Sequence, residues 1–203
     1  MKKLNDVLDG PAILNRVNEI DSTIREHADE AVRARRLNTP VVEAMRTAGV
    51  FRMAMPAAWV GRSWTSARSW KWWRLARADA SAAWCAMIGV ESGYFASYID
   101  ESAARELYPD LDMITAGFQG PVGALEVCDG GYRLSGRWPF GSGINHADVI
   151  VGGARVLQGG QPRMAPSGRP EFRVAMLPAQ LAGAGYLGSS RVGWQRKSRL
   201  RDQ

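Results

Sequence analysis

Cysteine and histidine are scarce in this chain of 203 residues, which holds two of each. Cys85 and Cys128 have no Cys or His neighbour at metal-ligand spacing, which excludes a disulfide framework and an ordinary zinc site. Both thiols are expected reduced and buried. No apolar run approaches the roughly 18 residues that a membrane helix needs, and the opening Met-Lys-Lys-Leu-Asn-Asp lacks the apolar stretch of a secretory signal. A soluble, cytoplasmic protein with no membrane partner is the expectation. No P-loop or zinc signature is present either.

What is present is enough apolar content, 46%, to fill a real core. A net charge of +6 raises the question of nucleic acid, but its distribution answers it. Residues 62–74 and 183–203 together hold nine basic residues and one acidic, leaving 17 basic against 19 acidic elsewhere. Basicity belongs to two patches rather than to a domain, and no nucleic-acid partner is expected.

Pro11 to Leu37 places Ile13, Leu14, Val17, Ile20, Ile24, Ala28 and Ala31 at steps of three and four, which predicts one amphipathic helix. Thr39-Pro40 reads as a cap and first turn, Gly49 as a stop, and Val50 to Pro56 as a buried connector. Ala76 to Tyr98 reads as one core helix despite Gly89 and Gly93, and Asp100 as the cap of a short helix through Tyr108. After Pro109 the pattern changes to short apolar runs bounded by glycine. Strands are predicted over 113–118, 125–128, 132–138, 149–155 and 171–177, with a hairpin turn at Asp129-Gly130-Gly131 and a surface loop over 158–170. The fold class is α+β, an N-terminal helical domain followed by a partial antiparallel β-barrel domain.

Leu134 to Asp148 runs from a strand into a glycine-rich turn and sets Trp138, Phe140, Ser142 and His146 close together. Rings beside a hydroxyl and backbone N–H groups suit a flat, polar-edged cofactor such as a flavin, because rings cover its face while donors meet its heteroatoms. The same residues also suit a turn over a core, Ser142 can serve that turn alone, and His146 is either an acid–base group or a strand-edge residue. His27, on a charged helix face, reads as solvated.

Three motifs carry a resemblance: Leu75-Ala76-Arg77-Ala78-Asp79-Ala80-Ser81-Ala82-Ala83-Trp84, Thr115-Ala116-Gly117-Phe118-Gln119-Gly120-Pro121, and the aromatic turn. With the order of helices then strands, residues 10–180 resemble the acyl-CoA dehydrogenase superfamily. The Asp-x-Ser-x-x-Trp and Trp-x-Phe-x-Ser-Gly forms are more similar to its flavin-dependent monooxygenase branch, the hydroxylase component of two-component systems. The resemblance implies a helical domain over 1–110, a β domain over 111–182, and in the intact family a C-terminal four-helix bundle and a tetramer. It implies reduced flavin (FMN or FAD) supplied by a flavin reductase, O2 as co-substrate, and a small aromatic or polyketide-like substrate. Residue by residue, it implies that Phe118, Gln119 and Pro121 lie along the flavin, and that Trp138, Phe140, Ser142 and Gly143 lie against the isoalloxazine. Ser142 is then the catalytic candidate, close to the reactive edge, and Trp84 faces the same cavity, although a tryptophan on an alanine-rich helix equally suits a core.

Two regions depart from that pattern. Four of the eight tryptophans fall between Trp64 and Trp73, where the family has a helix of Leu, Val and Glu. Trp70-Lys71-Trp72-Trp73-Arg74, read one nucleotide earlier, gives Leu-Glu-Val-Val-Glu, and Gly185-Tyr186-Leu187-Gly188, read one nucleotide later, can give Asp-Thr-Trp-Glu. Both stretches are therefore expected to be frameshifted, the second running to a premature end, with the helical bundle absent and residues 183–203 a disordered basic tail. The alternatives are an acyl-CoA dehydrogenase using FAD, whose catalytic carboxylate is not obvious in this chain, and a noncatalytic remnant or basic aromatic binding module.

Overall fold

The computed structural model describes residues 10–60, 73–181, 186–187 and 191–198. The chain divides into two compact units, Met1–Thr115 with Asn145–Ala147, and Ala116–Ile144 with Asp148–Gln203. No described helix is long and apolar enough to cross a membrane.

The helical unit begins with α1 (Gly10–Glu19), α2 (Asp21–Glu26) and α3 (Ala28–Ala34), not with one continuous helix. The apolar stripe survives the breaks, since Ile13, Val17, Ile24 and Ala31 are all buried. The second break has a local cause. His27 Nδ1 lies 3.0 Å from the Thr23 carbonyl oxygen, the acceptor an unbroken helix would give to the His27 N–H, and that N–H turns to Arg25 instead. His27 is accordingly half-buried rather than solvated. Arg35, at φ 53°, ends α3 in the left-handed region.

In α4 (Thr39–Thr47) Pro40 takes its place in the first turn, but Asn38, not Thr39, occupies the cap position. Gly49 at φ 79° ends that segment, and a 3-10 turn over Phe51–Ala54 buries Phe51. Next come α5 (Ala57–Val60), α6 (Trp73–Ala78), α7 (Ala80–Gly89), α8 (Glu91–Ala96) and α9 (Glu101–Leu107). The single helix expected over 76–98 is divided because Asp79 accepts from the Ala82 N–H at 2.7 Å and starts a new helix, and because Val90 sits at ψ −7°. Gly93 is needed where α8 crosses the 3-10 turn, since a Cβ there would collide with the Ala54 carbonyl. Asp100 caps α9, accepting from Ser102 N–H at 2.8 Å and Ala103 N–H at 3.3 Å.

The second unit is built on β1 (Thr115–Cys128), β2 (Gly131–Trp138), β3 (Val149–Gln158), β4 (Gln161–Pro162), β5 (Phe172–Pro178), β6 (Tyr186–Leu187) and β7 (Arg191–Ser198). Among the described residues the strand order is β4-β3-β1-β2-β7-β6, with β5 also paired to β3. Cys128 pairs with Gly131 across the expected hairpin turn, and Gly130 has φ 71°. The partial antiparallel barrel expected from the sequence is not what forms: the sheet is open and mixed. The β1–β2, β2–β7, β3–β4, β3–β5 and β6–β7 pairings are antiparallel, but Gly117 lies against Val151 and Gly153 against Gln119, so β1 and β3 advance in the same direction. The cause is the connection. A tight turn joins β1 to β2, whereas residues 139–148 carry the chain from β2 across β1, and β3 lands on the far side of β1.

One other expectation is corrected. Within the supposedly disordered tail, Arg191–Ser198 is strand β7, paired with β2 from Tyr132↔Ser198 to Trp138↔Val192. The 158–170 stretch is mostly exposed, as expected of a surface loop, and is tied down by an ion pair of Arg163 with Glu171 at 2.6 Å, with Arg163 and Arg173 both over the Tyr132 ring. Residues 64–72 and most of 182–190, where the frameshifts are expected, lie outside the described residues.

Candidate functional site

The aromatic turn leaves β2 at Trp138, and three backbone features shape it. Phe140 adopts φ 57°, a conformation that costs a residue with a side chain about 1–2 kcal/mol. The Ser142 N–H donates back to the Phe140 carbonyl at 2.8 Å and the Ile144 N–H to the Gly141 carbonyl at 3.1 Å. Gly143, at φ 74°, has open space where a side chain would stand. This strained turn holds the Phe140 ring 72% exposed and 5.9 Å from the Phe118 ring on β1, the two planes tilted by 50°. Gln119 and Pro121 are exposed on the same strand, and Ser142 is half-buried.

Trp138 stands apart from these residues. It is 2% exposed, donates its indole N–H to the Gly153 carbonyl at 2.8 Å, and lies on Gly123, Gly136 and Gly152, at each of which a Cβ would crowd the indole ring. In the β unit as described, its role is to support the turn from inside the sheet. Trp84 belongs to the helical unit, on α7, and is 53% exposed rather than part of the core. The residues brought together are therefore Phe118, Phe140 and the Ser142–Gly143 turn, with Trp138 beneath the turn's entry.

The chemistry of this set fits a flavin. The exposed ring of Phe140 and the half-buried ring of Phe118 beside it match a flat ring system, and the Ser142 hydroxyl, donor and acceptor at once, matches a ring edge with alternating heteroatoms.

The end of the turn carries a group that the sequence gave no sign of. Arg46, on α4, donates to the Asp112 carbonyl at 2.8 Å and to the His146 carbonyl at 3.4 Å, and so anchors the 3-10 turn Ile144–His146. Asp112 is itself ion-paired with Arg52. His146 is half-buried, and burial together with the charges of Arg36 and Arg46 lowers its pKa, which keeps the ring neutral at pH 7. Cys85 and Cys128 are free but half-buried, not buried, and burial beside Asp79 pushes the Cys85 thiol up to about 11. That thiol is not a nucleophile at neutral pH.

No family model matches the chain. It is similar to the HsaA oxygenase subunit of a flavin-dependent monooxygenase from Rhodococcus jostii (strain RHA1), with 30% identity over 156 residues, 73% of this chain and 40% of that protein. It is also similar to the oxygenase component of an FADH2-dependent resorcinol hydroxylase from Rhizobium sp. (strain MTP-10005), 31% identical over 169 residues, 82% of this chain and 40% of the other. Among solved structures, the HsaA monooxygenase from M. tuberculosis superposes with a TM-score of 0.74 at 24% identity, over 94% of this chain and 51% of that one. The fold is thus shared with about half of that chain. The chain spans about two fifths of the length of the curated relatives it matches.

Proposed function

We propose that this chain carries the flavin-binding turn of the oxygenase component of a two-component, flavin-dependent monooxygenase that hydroxylates a small aromatic substrate. The observation that carries this reading is Phe140. Phe140 combines φ 57° with a ring mostly in solvent, so burial offsets little of the strain, and strain of this kind clusters at ligand sites. The relatives support it: one is named a flavin-dependent monooxygenase and another an FADH2-dependent hydroxylase.

In this reading Phe118 and Phe140 cover one face of the isoalloxazine, Gln119 and Pro121 lie along it, and the Ser142 hydroxyl and Gly143 backbone meet its polar edge. Trp138 fixes the strand from which the turn departs. The bound flavin, once reduced, supplies the activation of O2. The chain's own residues bind and orient the ring and keep water from its reacting edge. The reading includes FMN or FAD delivered by a separate flavin reductase, a cytoplasmic setting, and assembly into a homo-oligomer.

Anaerobic titration of the purified, folded chain with reduced FMN and reduced FAD tests this directly. Saturable binding of one of them, followed by an oxygen-dependent transient in flavin absorbance, is expected. A folded chain that binds neither overturns the reading for this polypeptide.

A further inference from the structure

One side chain holds both ends of the segment that carries the aromatic pair. The chain leaves the helical unit after Thr115, makes β1, β2 and the aromatic turn, and rejoins the helical unit over Asn145–Ala147. Arg46 bonds the main chain at each crossing. Its Nη1 donates to the Asp112 carbonyl at 2.8 Å and its Nη2 to the His146 carbonyl at 3.4 Å. Phe118 is the sixth residue after Asp112, and Phe140 the sixth before His146, so each ring stands a short tether from the same guanidinium.

That guanidinium is itself well placed. Glu43, one turn earlier on α4, pairs with its Nε at 3.4 Å, and its carbon lies 5.9 Å from the centre of the Phe51 ring. Asp112 is fixed by other bonds as well, its carboxylate paired with Arg52 and its N–H donating to Asp110 Oδ1 at 2.8 Å. Arg46 therefore ties His146 to a point already fixed. We propose that Arg46 is a positioning residue for the Phe118–Phe140 pair: by clipping the roots of residues 116–144 to one planar fork, it holds the strained turn beside β1. Closing the segment at its roots removes most of the freedom its ends would have to separate. A lysine cannot replace the clip, because its single nitrogen lacks the fork that reaches two carbonyls in fixed directions. That the pair receives a flavin rests on the reading above; the positioning of the rings does not.

Two measurements on the full chain test this: NMR cross-peaks between the ring protons of Phe118 and Phe140, and anaerobic titration with reduced FMN and reduced FAD. Arg46→Lys keeps the charge and a stem beside Phe51, and the fold with them. In it the ring cross-peaks are expected to fade and flavin to bind about tenfold more weakly, as the fraction of molecules with the pair assembled falls by the worth of one charge-assisted hydrogen bond. In Arg46→Ala, free guanidinium at a non-denaturing concentration should restore both signals, and methylammonium should not. Arg105→Gln, which breaks an exposed ion pair on α9, should change neither. A lowered melting temperature in Arg46→Lys with the parent's ring contact and flavin affinity assigns Arg46 a structural role alone and overturns the proposal. Weaker flavin binding with the ring contact intact overturns it too. If the ring contact depends on Arg46 while the parent binds neither flavin, the positioning role stands and the flavin reading fails.

Discussion

The Trp138 indole donates its N–H to the carbonyl of Gly153, 15 residues further along the chain, from inside a cradle of three other glycines. The bond ties the end of β2 to β3 within the β unit. Trp138→Phe removes the donor, leaves a buried carbonyl short of a partner and opens a void over Gly123 and Gly152. A loss of about 2–4 kcal/mol in unfolding free energy is expected, combining the two costs. Urea unfolding measures it, and a loss below about 1 kcal/mol would show that the cradle does not support the turn.

Gly93 faces the backbone of Ala54 so closely that any Cβ collides with main chain, which cannot rotate away as a side chain can. Gly93→Ala must separate α8 from the Phe51–Ala54 turn. It is expected to destabilise the helical unit by more than about 3 kcal/mol, at or above the usual cost of overpacking a core. Gly89 provides the internal comparison: its Cβ would meet the Phe51 ring at 2.6 Å, and a ring can shift, so Gly89→Ala should cost less. Thermal melts of the two variants give the order, and equal melting temperatures would contradict it.

Much of this was legible before any coordinates. The stripe from Ile13 to Ala31, the Gly49 stop, the Asp100 cap and the Asp129–Gly130 hairpin are local events governed by nearby residues, and each occurs where the sequence puts it. The failures are tertiary. Periodicity could not reveal that His27 takes a carbonyl from its own helix, or that residues 139–148 carry the chain across β1 so that β3 lies along its far side. In the candidate site, alternating rings and glycines marked the right turn but not the different fates of its two aromatics. Trp138 goes inward because three glycines make room for it, and Gly123, Gly136 and Gly152, on three different strands, give no signal until the strands are paired. Arg46 was invisible for the same reason, its partner His146 being 100 residues away.

Acid should unfold the chain in two stages set by groups with opposite protonation logic. His146 has a lowered pKa in the folded state, so the unfolded chain binds the extra proton first. Its contribution is complete above the ordinary value near 6.5 and declines as pH falls below it. Glu171 is held down to about 2, by Arg163 first and then by Arg173. Its contribution is present above the ordinary value of 4.5 and is lost as pH falls towards 2. Unfolding free energy measured from pH 8 to pH 2 should fall across both windows. His146→Gln should flatten the first alone and Glu171→Gln the second alone; a variant that flattens neither refutes the assignment.

Phe140 separates stability from function most sharply. Its φ of 57° suits glycine, and its ring is 72% exposed, so Phe140→Gly removes a strain of about 1–2 kcal/mol while giving up little burial. The added freedom of glycine in the unfolded chain offsets about 0.5–1 kcal/mol of that gain. The variant should therefore be as stable as the parent, or slightly more so. If the ring is kept there to cover a flavin, the same change should weaken reduced-flavin binding about tenfold or more, the worth of one aromatic face contact. Phe118→Leu, which retains bulk but loses the ring opposite, should weaken binding to a smaller degree. Parallel urea unfolding and anaerobic flavin titration read the two effects separately. A variant that is more stable and still binds reduced flavin as tightly as the parent would mean that the strain at Phe140 serves something other than the cofactor.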